Sequence, residues 1–218
     1  MHDYQSIHSA TSVAVGLGWS FKRWLDIGAS LVGLLMLLPI LLILAVVIVV
    51  SSGWPPLFKQ IRVGKGGRHF KLYKFRTMVV GAEKKGAGLW FAEGDTRFTR
   101  VGTWLRRYSL DELPQLWNVL IGDESLIGPR AMVPLTADKL NDVQQRRHRV
   151  RPGITGLAQV SGRNSIPWSQ RVMLDNWYID NWSLWLDVRV LWRTLPLVLS
   201  SRGVRLDQAA AEVDDLGD

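Results

Sequence analysis

The chain has 218 residues, of which 47% are hydrophobic, so it is long enough for one domain with a real core and too apolar for wholesale disorder. A net charge of +8 favours polyanionic partners, such as nucleic acid, anionic lipid or a phosphorylated substrate. The absence of cysteine excludes disulfides, cysteine-ligated zinc and a cysteine nucleophile, and the four histidines are scattered without ligand spacing. The 11 tryptophans are typical of a protein that meets lipid headgroups.

The first predicted element is an uncharged apolar run, Ile27–Val50, which as a helix would reach about 36 Å and could cross a bilayer. It is too long for a signal peptide, so we expect it to be retained. Two arrangements remain open, a plain spanning helix and a helix that is broken at Pro39 and returns to the same face. Pro39 lies at the middle of the run, and Lys or Arg residues flank both ends, which favours the second arrangement.

Residues 58–78 alternate apolar and polar side chains around a glycine-rich turn at 64–67, which predicts a β-hairpin. The hairpin ends in a basic cluster formed by Lys71, Lys74 and Arg76. Residues 79–96 are polar and rich in glycine, so a mobile loop is expected there.

A short helix carrying Arg106 and Arg107 is predicted next, followed by a second helix that begins near Ser109 or Leu110. One face of the second helix carries apolar side chains, namely Leu113, Leu116, Trp117 and Leu120. Ser109 and Glu112 have the spacing of a capping box, in which case Asp111 and Glu112 only start the helix. The alternative is that the two adjacent acids carry chemistry.

Two segments rich in Gly, Pro and Arg, residues 122–130 and 151–164, are predicted to be loops with fixed turns. Their arginines either bind phosphate oxygens or cap helix ends and pair with acids; they are Arg130, Arg151 and Arg163. The basic run 144–151 between them is interpreted as a solvated or headgroup-facing helix side.

The C-terminal part combines aromatic and charged residues in a pattern typical of an amphipathic helix at the membrane surface. Its aromatic residues are Trp177, Tyr178, Trp182, Trp185 and Trp192. An aromatic core helix of a soluble domain is the alternative. Pro196 should end or bend this helix, and an acidic flexible tail should follow from residue 205.

Several motifs occur in one order along the chain: KRWLD, YKFRTM, SLDELPQLWNVLIGD, GPR and RPGITGLAQVSGRN. From Lys22 to about Val204 the chain resembles the monotopic phosphoglycosyl transferases, a bacterial sugar transferase family. The resemblance implies transfer of a phospho-sugar from a nucleotide sugar, usually a UDP-sugar, to a polyprenyl phosphate such as undecaprenyl phosphate, with release of UMP. It also implies a membrane-bound enzyme on the cytoplasmic face of the bacterial inner membrane.

The resemblance assigns roles to individual residues. Asp111 would be the nucleophile and Glu112 a ligand of Mg²⁺. Substrate phosphates would be bound by basic residues, which are Lys74 or Arg76, Arg106 and Arg130. The chain departs from the family pattern at two places: Leu38 precedes Pro39 where a serine is usual, and Ala131 follows Arg130 where a proline is usual.

The predicted fold class is α+β, mainly helical with a small β-hairpin, a re-entrant N-terminal helix and amphipathic interfacial helices. We expect an extension over residues 1–20, the membrane helix over 21–51, a catalytic domain over 52–204 and a tail over 205–218. Three alternatives to this function are a non-enzymatic basic scaffold on anionic lipid, a nucleic-acid binder and a glycosyltransferase that releases UDP. No nucleic-acid-binding module is recognisable, which disfavours the second. The sequence does not specify the sugar.

Overall fold

The long N-terminal helix dominates the computed structural model, which describes residues 2–82, 95–162, 166–200 and 216. Helix α1 (His2–Ser52) includes both the apolar run and the extension predicted before it. Its section Gly18–Ser52 is long and apolar enough to cross a membrane. The helix continues through Pro39, where we had predicted a break. A proline costs a helix one main-chain hydrogen bond, and the neighbouring turns here remain helical despite that loss.

Both ends of the apolar run contact the same protein body. Near the N-terminal end, Lys22 Nζ lies 2.6 Å from Asp187 Oδ2, and Asp26 Oδ1 accepts a hydrogen bond from Leu126 N at 3.1 Å. At the other end, Leu44 and Ile48 are buried in a cluster that also contains Phe75 and Leu105. The helix is therefore docked at both ends of the apolar run and not only at one end.

The predicted hairpin is confirmed. Strands β1 (Leu57–Val63) and β2 (His69–Phe75) pair antiparallel, with Leu57 opposite Phe75 and Val63 opposite His69. Gly66 and Gly67 have φ of +66° and +76° in the connecting 3₁₀ turn, a conformation that glycine adopts without steric cost. Of the loop predicted over 79–96, residues 83–94 lie outside the described part of the chain.

The helix carrying Arg106 and Arg107 is also confirmed, as α2 (Arg100–Arg107), and the Thr99 side chain caps it by accepting from Gly102 N at 2.8 Å. The next helix differs from the prediction. A single 3₁₀ turn covers Leu110–Glu112, and helix α3 (Gln115–Ile121) begins only after Pro114. On α3 the side chain of Trp117 is 49% exposed, whereas the polar Asn118 is fully buried. Asn118 is satisfied there because it bonds the main chain of β2 at Lys71 O and Tyr73 N.

The two predicted loops instead contain short parallel strands, β3 (Ser125–Ile127) and β4 (Gly153–Thr155). Helix α4 (Pro134–Ala137) and a 3₁₀ helix over Gln144–Arg149 lie between them in sequence, and helix α5 (Leu157–Ser161) follows β4. Three-residue strands are too short to produce an alternating pattern, which is why the sequence indicated loops.

Two helices form the C-terminal part, α6 (Trp168–Asp180) and α7 (Leu184–Ser200). Helix α7 continues through Pro196 instead of ending there. The aromatic residues separate into two groups: Tyr178 is only 1% exposed, and Trp177, Trp185 and Trp192 are exposed. Helix α6 therefore buries one aromatic residue and exposes another, whereas both α7 tryptophans are exposed, and the membrane-surface location of α7 stays a prediction.

Candidate active site

The left-handed backbone conformation of Ser109 sets the position of Asp111 and Glu112. Ser109 follows α2 with φ of +55° and ψ of 22°, and the chain then turns through Leu110–Glu112, with Glu112 N donating to Ser109 O at 3.2 Å. Ser109 makes no side-chain cap, so the predicted capping box is wrong. Because the chain reverses direction at Ser109, the Ser109 hydroxyl does not reach the unpaired N–H groups at the start of the helix. Glu112 turns towards basic side chains instead of the end of its own helix.

Glu112 is held between two cations from distant segments. Lys74 Nζ, near the end of β2, lies 2.7 Å from Glu112 Oε1, and Arg130 Nη2 lies 2.5 Å from the same oxygen. Burial favours a higher pKa for Glu112, but the charges of Arg130 and Lys74 and their hydrogen bonds outweigh it, so its pKa lies well below the ordinary range. Glu112 is therefore a fixed carboxylate at neutral pH.

Asp111 has different electrostatic surroundings from its neighbour. The residue is only 7% exposed, and burial raises the pKa of its carboxyl, with Lys74 lowering it and the adjacent Glu112 raising it again. Glu112, and not Asp111, forms the ion pairs with Lys74 and Arg130. A poorly solvated carboxylate that is not committed to a salt bridge is suited to attack an electrophile.

The third cation, Arg106, reaches the same place from α2. Its guanidinium lies 4.8 Å from the centre of the Phe98 ring, and its charge acts on both Asp111 and Glu112. Helix α2 itself is docked on the chain that follows β2: a Cβ on Gly102 would lie 1.9 Å from Thr77 O. Main-chain contact therefore sets the spacing between the segment carrying Lys74 and the helix carrying Arg106.

Arg76 lines the same cavity as the other predicted phosphate ligands but differs from them in its partners. Its guanidinium donates to Ser52 O and Ser52 Oγ, each at 3.0 Å, and to Gly53 O. It is only 6% exposed. We had predicted Lys74 or Arg76 as the phosphate ligand; Lys74 contacts Glu112, whereas Arg76 binds the carboxyl end of α1.

Sequence reasoning missed Arg147 and Asp175, which line the same cavity and support the main chain of Arg130. Arg147 lies 2.5 Å from Asp175 with both side chains 2% exposed, and it also donates to Arg130 O at 2.7 Å. The buried pair thus fixes the main chain that carries Arg130. We had interpreted the basic run containing Arg147 as a solvated helix side, which is wrong for this residue. No periodicity distinguishes it from its exposed neighbours.

The other arginines of the predicted loops and the membrane proline lie apart from the acids. Arg151 Nε donates to Gly122 O at 2.8 Å, at the carboxyl end of α3, which agrees with the capping alternative. Arg163 lies outside the described residues. Pro39 is exposed within α1 and takes no part in the site.

The acidic pair lies in a cavity of about 1010 Å³. One part of the lining is charged and includes all the predicted site residues, Lys74, Arg76, Arg106, Asp111, Glu112 and Arg130. Other parts are apolar and come from two separate segments, Trp54–Phe58 after α1 and the α7 residues Leu191, Leu197 and Val198. The arrangement suits a reaction between a charged, phosphate-bearing compound and a compound with a long apolar part.

The donor set is compatible with Mg²⁺ but not with a protein-only metal cage. Among the residues whose positions the structure describes, no three His, Cys, Asp or Glu side chains form a metal-binding group. Mg²⁺ in phosphate-transferring enzymes is commonly held by one or two carboxylates together with water and substrate phosphates. Glu112, next to Asp111 at the charged part of the cavity, fits that requirement.

Comparison with known proteins agrees with these features. A family model described as bacterial sugar transferase matches residues 17–201. The uncharacterized sugar transferase EpsL of Bacillus subtilis is 46% identical over 187 residues, covering 84% of this chain and 90% of EpsL. The undecaprenyl-phosphate glucose phosphotransferase of Komagataeibacter xylinus is 41% identical, covering 83% of this chain and 36% of that protein.

A third relative is the UDP-N-acetylgalactosamine-undecaprenyl-phosphate N-acetylgalactosaminephosphotransferase of Aeromonas hydrophila. It is 43% identical over 191 residues, which cover 84% of this chain and 45% of that protein. The chain thus spans less than half the length of these two phosphotransferases and most of the length of EpsL. With the family match over residues 17–201 and the identity to EpsL, the chain belongs to the bacterial sugar transferase family.

Proposed function

We propose that this sugar transferase moves a phospho-sugar from a nucleotide sugar, a UDP-sugar, to a polyprenyl phosphate such as undecaprenyl phosphate, and releases UMP. One observation carries the proposal: a buried aspartate beside an ion-paired glutamate lies among three cations in a cavity with both charged and apolar walls. The names of the Komagataeibacter and Aeromonas relatives, which specify sugar phosphotransfer to undecaprenyl phosphate, support it.

The reaction proceeds in two displacements. The Asp111 carboxylate attacks the sugar-bearing phosphorus of the donor, a P–O bond to Asp111 forms, and the bond to the leaving UMP oxygen breaks. A phosphate oxygen of the polyprenyl phosphate then attacks the same phosphorus, and the Asp111 carboxylate leaves. Two displacements allow the water-soluble donor and the lipid acceptor to occupy the site one after the other.

The three cations neutralise phosphate charge in both displacements. Arg130 presents a planar guanidinium that can bind two phosphate oxygens, and Lys74 provides a point charge. Arg106 adds a third positive charge from helix α2. Glu112, with Asp111 beside it, would hold Mg²⁺, which when bound neutralises phosphate oxygens and the charge on the leaving group. Positioning and charge neutralisation are the main requirements of phosphoryl transfer.

We propose further that α1 enters and leaves the membrane by the cytoplasmic leaflet of the bacterial inner membrane, with residues 52–204 as the catalytic domain on that face. The docking of both ends of the apolar run supports this arrangement. Lys22 and Asp26 bind one part of the body, and Ile48 and Ser52 bind another. For both ends to reach one face, the helix has to bend inside the bilayer, and Pro39, whose missing hydrogen bond permits a bend, lies at the middle of the apolar run.

The test is a measurement of nucleotide release in the absence of acceptor. With Mg²⁺ and a panel of UDP-sugars but no lipid, the wild type should release about one UMP per active site and gain the mass of the phospho-sugar on the Asp111 peptide. Steady-state rates with both substrates varied should give parallel double-reciprocal lines. Asp111→Asn should show neither burst nor added mass, and Asp142→Asn, at an exposed acid, is the matched control.

Several results would contradict the proposal. Release of UDP instead of UMP would indicate a glycosyltransferase that leaves the phosphate behind. Intersecting lines without a lipid-independent burst would mean direct transfer, with Asp111 acting as a base or a metal ligand. No nucleotide release with any donor and acceptor, from protein that still binds anionic vesicles, would support the scaffold alternative.

A further inference from the structure

Leu216, in the segment that follows α7, is part of the protein interior. Its side chain is 8% exposed and belongs to a buried apolar cluster. The other members of the cluster are Val63, Met132, Ala137, Leu140 and Val172. We had predicted a flexible tail from residue 205, and that prediction is wrong for Leu216, the residue of the tail that the structure describes. The family match ends at residue 201, so Leu216 joins the cluster from outside the matched part of the chain.

The cluster covers one of three hydrogen bonds that hold the segment carrying Arg130. The carbonyl oxygens of residues 130–132 each accept a hydrogen bond from another part of the chain. In that order the donors are Arg147 Nη2 at 2.7 Å, Arg62 Nη1 at 2.9 Å and Val63 N at 2.8 Å. Val63 and Met132, which form the last bond, are both in the cluster. Leu216 therefore helps to exclude water from a main-chain hydrogen bond two residues from Arg130, and exclusion of water strengthens such a bond.

A second support of the same segment reaches the cluster through α6. Val172 of the cluster lies three residues before Asp175 on this helix, a spacing that places both side chains on one face. Asp175 pairs with Arg147, which is the donor to Arg130 O. The supports of Arg130 from β1 and from α6 thus meet in the cluster that Leu216 completes.

The cluster also adjoins the wall of the large cavity. Trp168 packs against the cluster and lines the cavity together with Arg130 and Arg147. The guanidinium of Arg130 is partly exposed, so its position depends on the main chain that carries it. Loss of the Leu216 side chain would leave a cavity in the cluster and allow that main chain to move.

We propose that Leu216 is an anchor that holds the Arg130 segment, and is therefore a positioning residue for the phosphates of the donor. The inference rests on the proposed function, in which Arg130 binds those phosphates, and extends it to a residue that touches neither substrate.

Reciprocity provides the first test. If docking of Leu216 strengthens phosphate binding, phosphate binding must strengthen docking by the same factor. UDP is the probe, because it carries the diphosphate of the donor and no sugar to transfer. In the full chain in nanodiscs, the thiol of Leu216→Cys should react with a maleimide about tenfold more slowly than that of Leu135→Cys, at a leucine 66% exposed on α4. Saturating UDP should slow the first reaction about fivefold further and leave the second unchanged.

The affinity for UDP provides the second test. Leu216→Asp should raise the Kd for UDP by about fivefold, because a carboxylate is too poorly solvated to stay in the cluster. Leu216→Met has a similar volume and should keep the wild-type Kd. Leu135→Asp is the matched control and should also keep it. A merely structural role would lower the number of UDP sites as protein unfolds, without changing the Kd of the sites that remain.

The outcomes separate this inference from the proposed function. Equal maleimide rates for Leu216→Cys and Leu135→Cys would show that Leu216 is not docked. Slow labelling that UDP does not change, with a wild-type Kd in Leu216→Asp, would make Leu216 a core residue alone and overturn the inference, while the proposed function would stand. A wild type that binds no UDP would instead contradict the UDP-sugar donor, and with it the phosphate site on which the inference rests.

Discussion

Asp111 and Glu112 are adjacent in the chain, yet their carboxyl groups are held in opposite electrostatic states. Two cations contact Glu112 and keep it ionised, whereas burial raises the pKa of Asp111. Pairs of acids whose surroundings separate their pKa values commonly divide a reaction between them. In the proposed reaction Asp111 attacks the phosphorus and Glu112 holds the metal ion.

We expect Asp111→Asn to remove turnover while leaving the fold intact. The amide keeps the size of the side chain but cannot form an acyl phosphate, and it no longer places a buried charge beside Glu112. The unfolding temperature in detergent should therefore equal or exceed that of the wild type. A fall of many degrees would show that Asp111 acts through the fold, and retained turnover would show that it is not the nucleophile.

His148 provides a prediction about pH. Burial, and after it the charge of Arg147, lower its pKa to about 4, so the ring stays neutral in the folded protein where an unfolded histidine would bind a proton. Its contribution to stability is complete above the unfolded pKa of about 6.5 and is lost as the pH falls towards 4.

The unfolding temperature should therefore fall less between pH 7.5 and pH 5 in His148→Asn than in the wild type. His69→Asn is the control, because His69 is exposed on β2. An identical pH profile for the wild type and His148→Asn would mean that the ring is protonated in the fold.

At the scale of the element, the sequence predicted structure where local signals were long enough to read. The hairpin was predicted from the alternation of apolar and polar residues on both sides of a glycine turn. Helix α2 was predicted as the short helix that carries Arg106 and Arg107. The turn that positions Asp111 was not, because a left-handed serine has no sequence signature comparable to that of glycine. Strands β3 and β4 were missed because each has only three residues and they pair across a distance of 28 positions, Ser125 with Gly153.

The sequence predicted which residues belong to the candidate site but not how they contact one another. Asp111, Glu112, Lys74, Arg106 and Arg130 were named through the resemblance, and the structure brings all five to one cavity. The place of Arg76 at the end of α1 and the support by Arg147 and Asp175 depend on tertiary contacts. No local pattern in the sequence predicts contacts between residues that are far apart in the chain.

For helix α1 the prediction concerns topology. Single cysteines at Ser12 and at Gly66, in a chain without cysteine of its own, should both be protected from an impermeant maleimide added outside intact spheroplasts and both react after lysis. The expectation follows from the docking of both ends of the apolar run on one body. Labelling of one site from outside would show that the helix spans the membrane.

At the scale of the whole molecule, the exposed apolar surface is concentrated on two helices. Helix α1 exposes large side chains along the run, and α7 exposes Trp185, Val188, Trp192 and Leu195. The two helices are joined by the Lys22 and Asp187 pair, and Trp19 stacks on Trp182, in the turn before α7, at 4.2 Å between ring centres. A surface of this kind is suited to the level of the lipid headgroups.

The double variant Trp185→Glu with Trp192→Glu should lower the fraction of protein retained on vesicles containing anionic lipid. Two charges would then lie at the level where the tryptophan rings meet the headgroups. Leu135→Glu, at a side chain 66% exposed on α4, should not change retention and is the control. Equal loss in both variants would show that added negative charge, and not the α7 face, determines binding.

The contact of Gly102 with Thr77 has a consequence for how such transferases diverge. Because main chain meets main chain there, the distance between the segment of Lys74 and the helix of Arg106 cannot be adjusted by exchanging side chains. Relatives named for glucose and for N-acetylgalactosamine nevertheless share over 40% of the residues with which they align to this chain. We therefore expect the spacing of the phosphate-binding cations to be the same throughout the family. The choice of sugar should depend on the other residues that line the cavity, where a single side chain can change without altering the spacing of the charges.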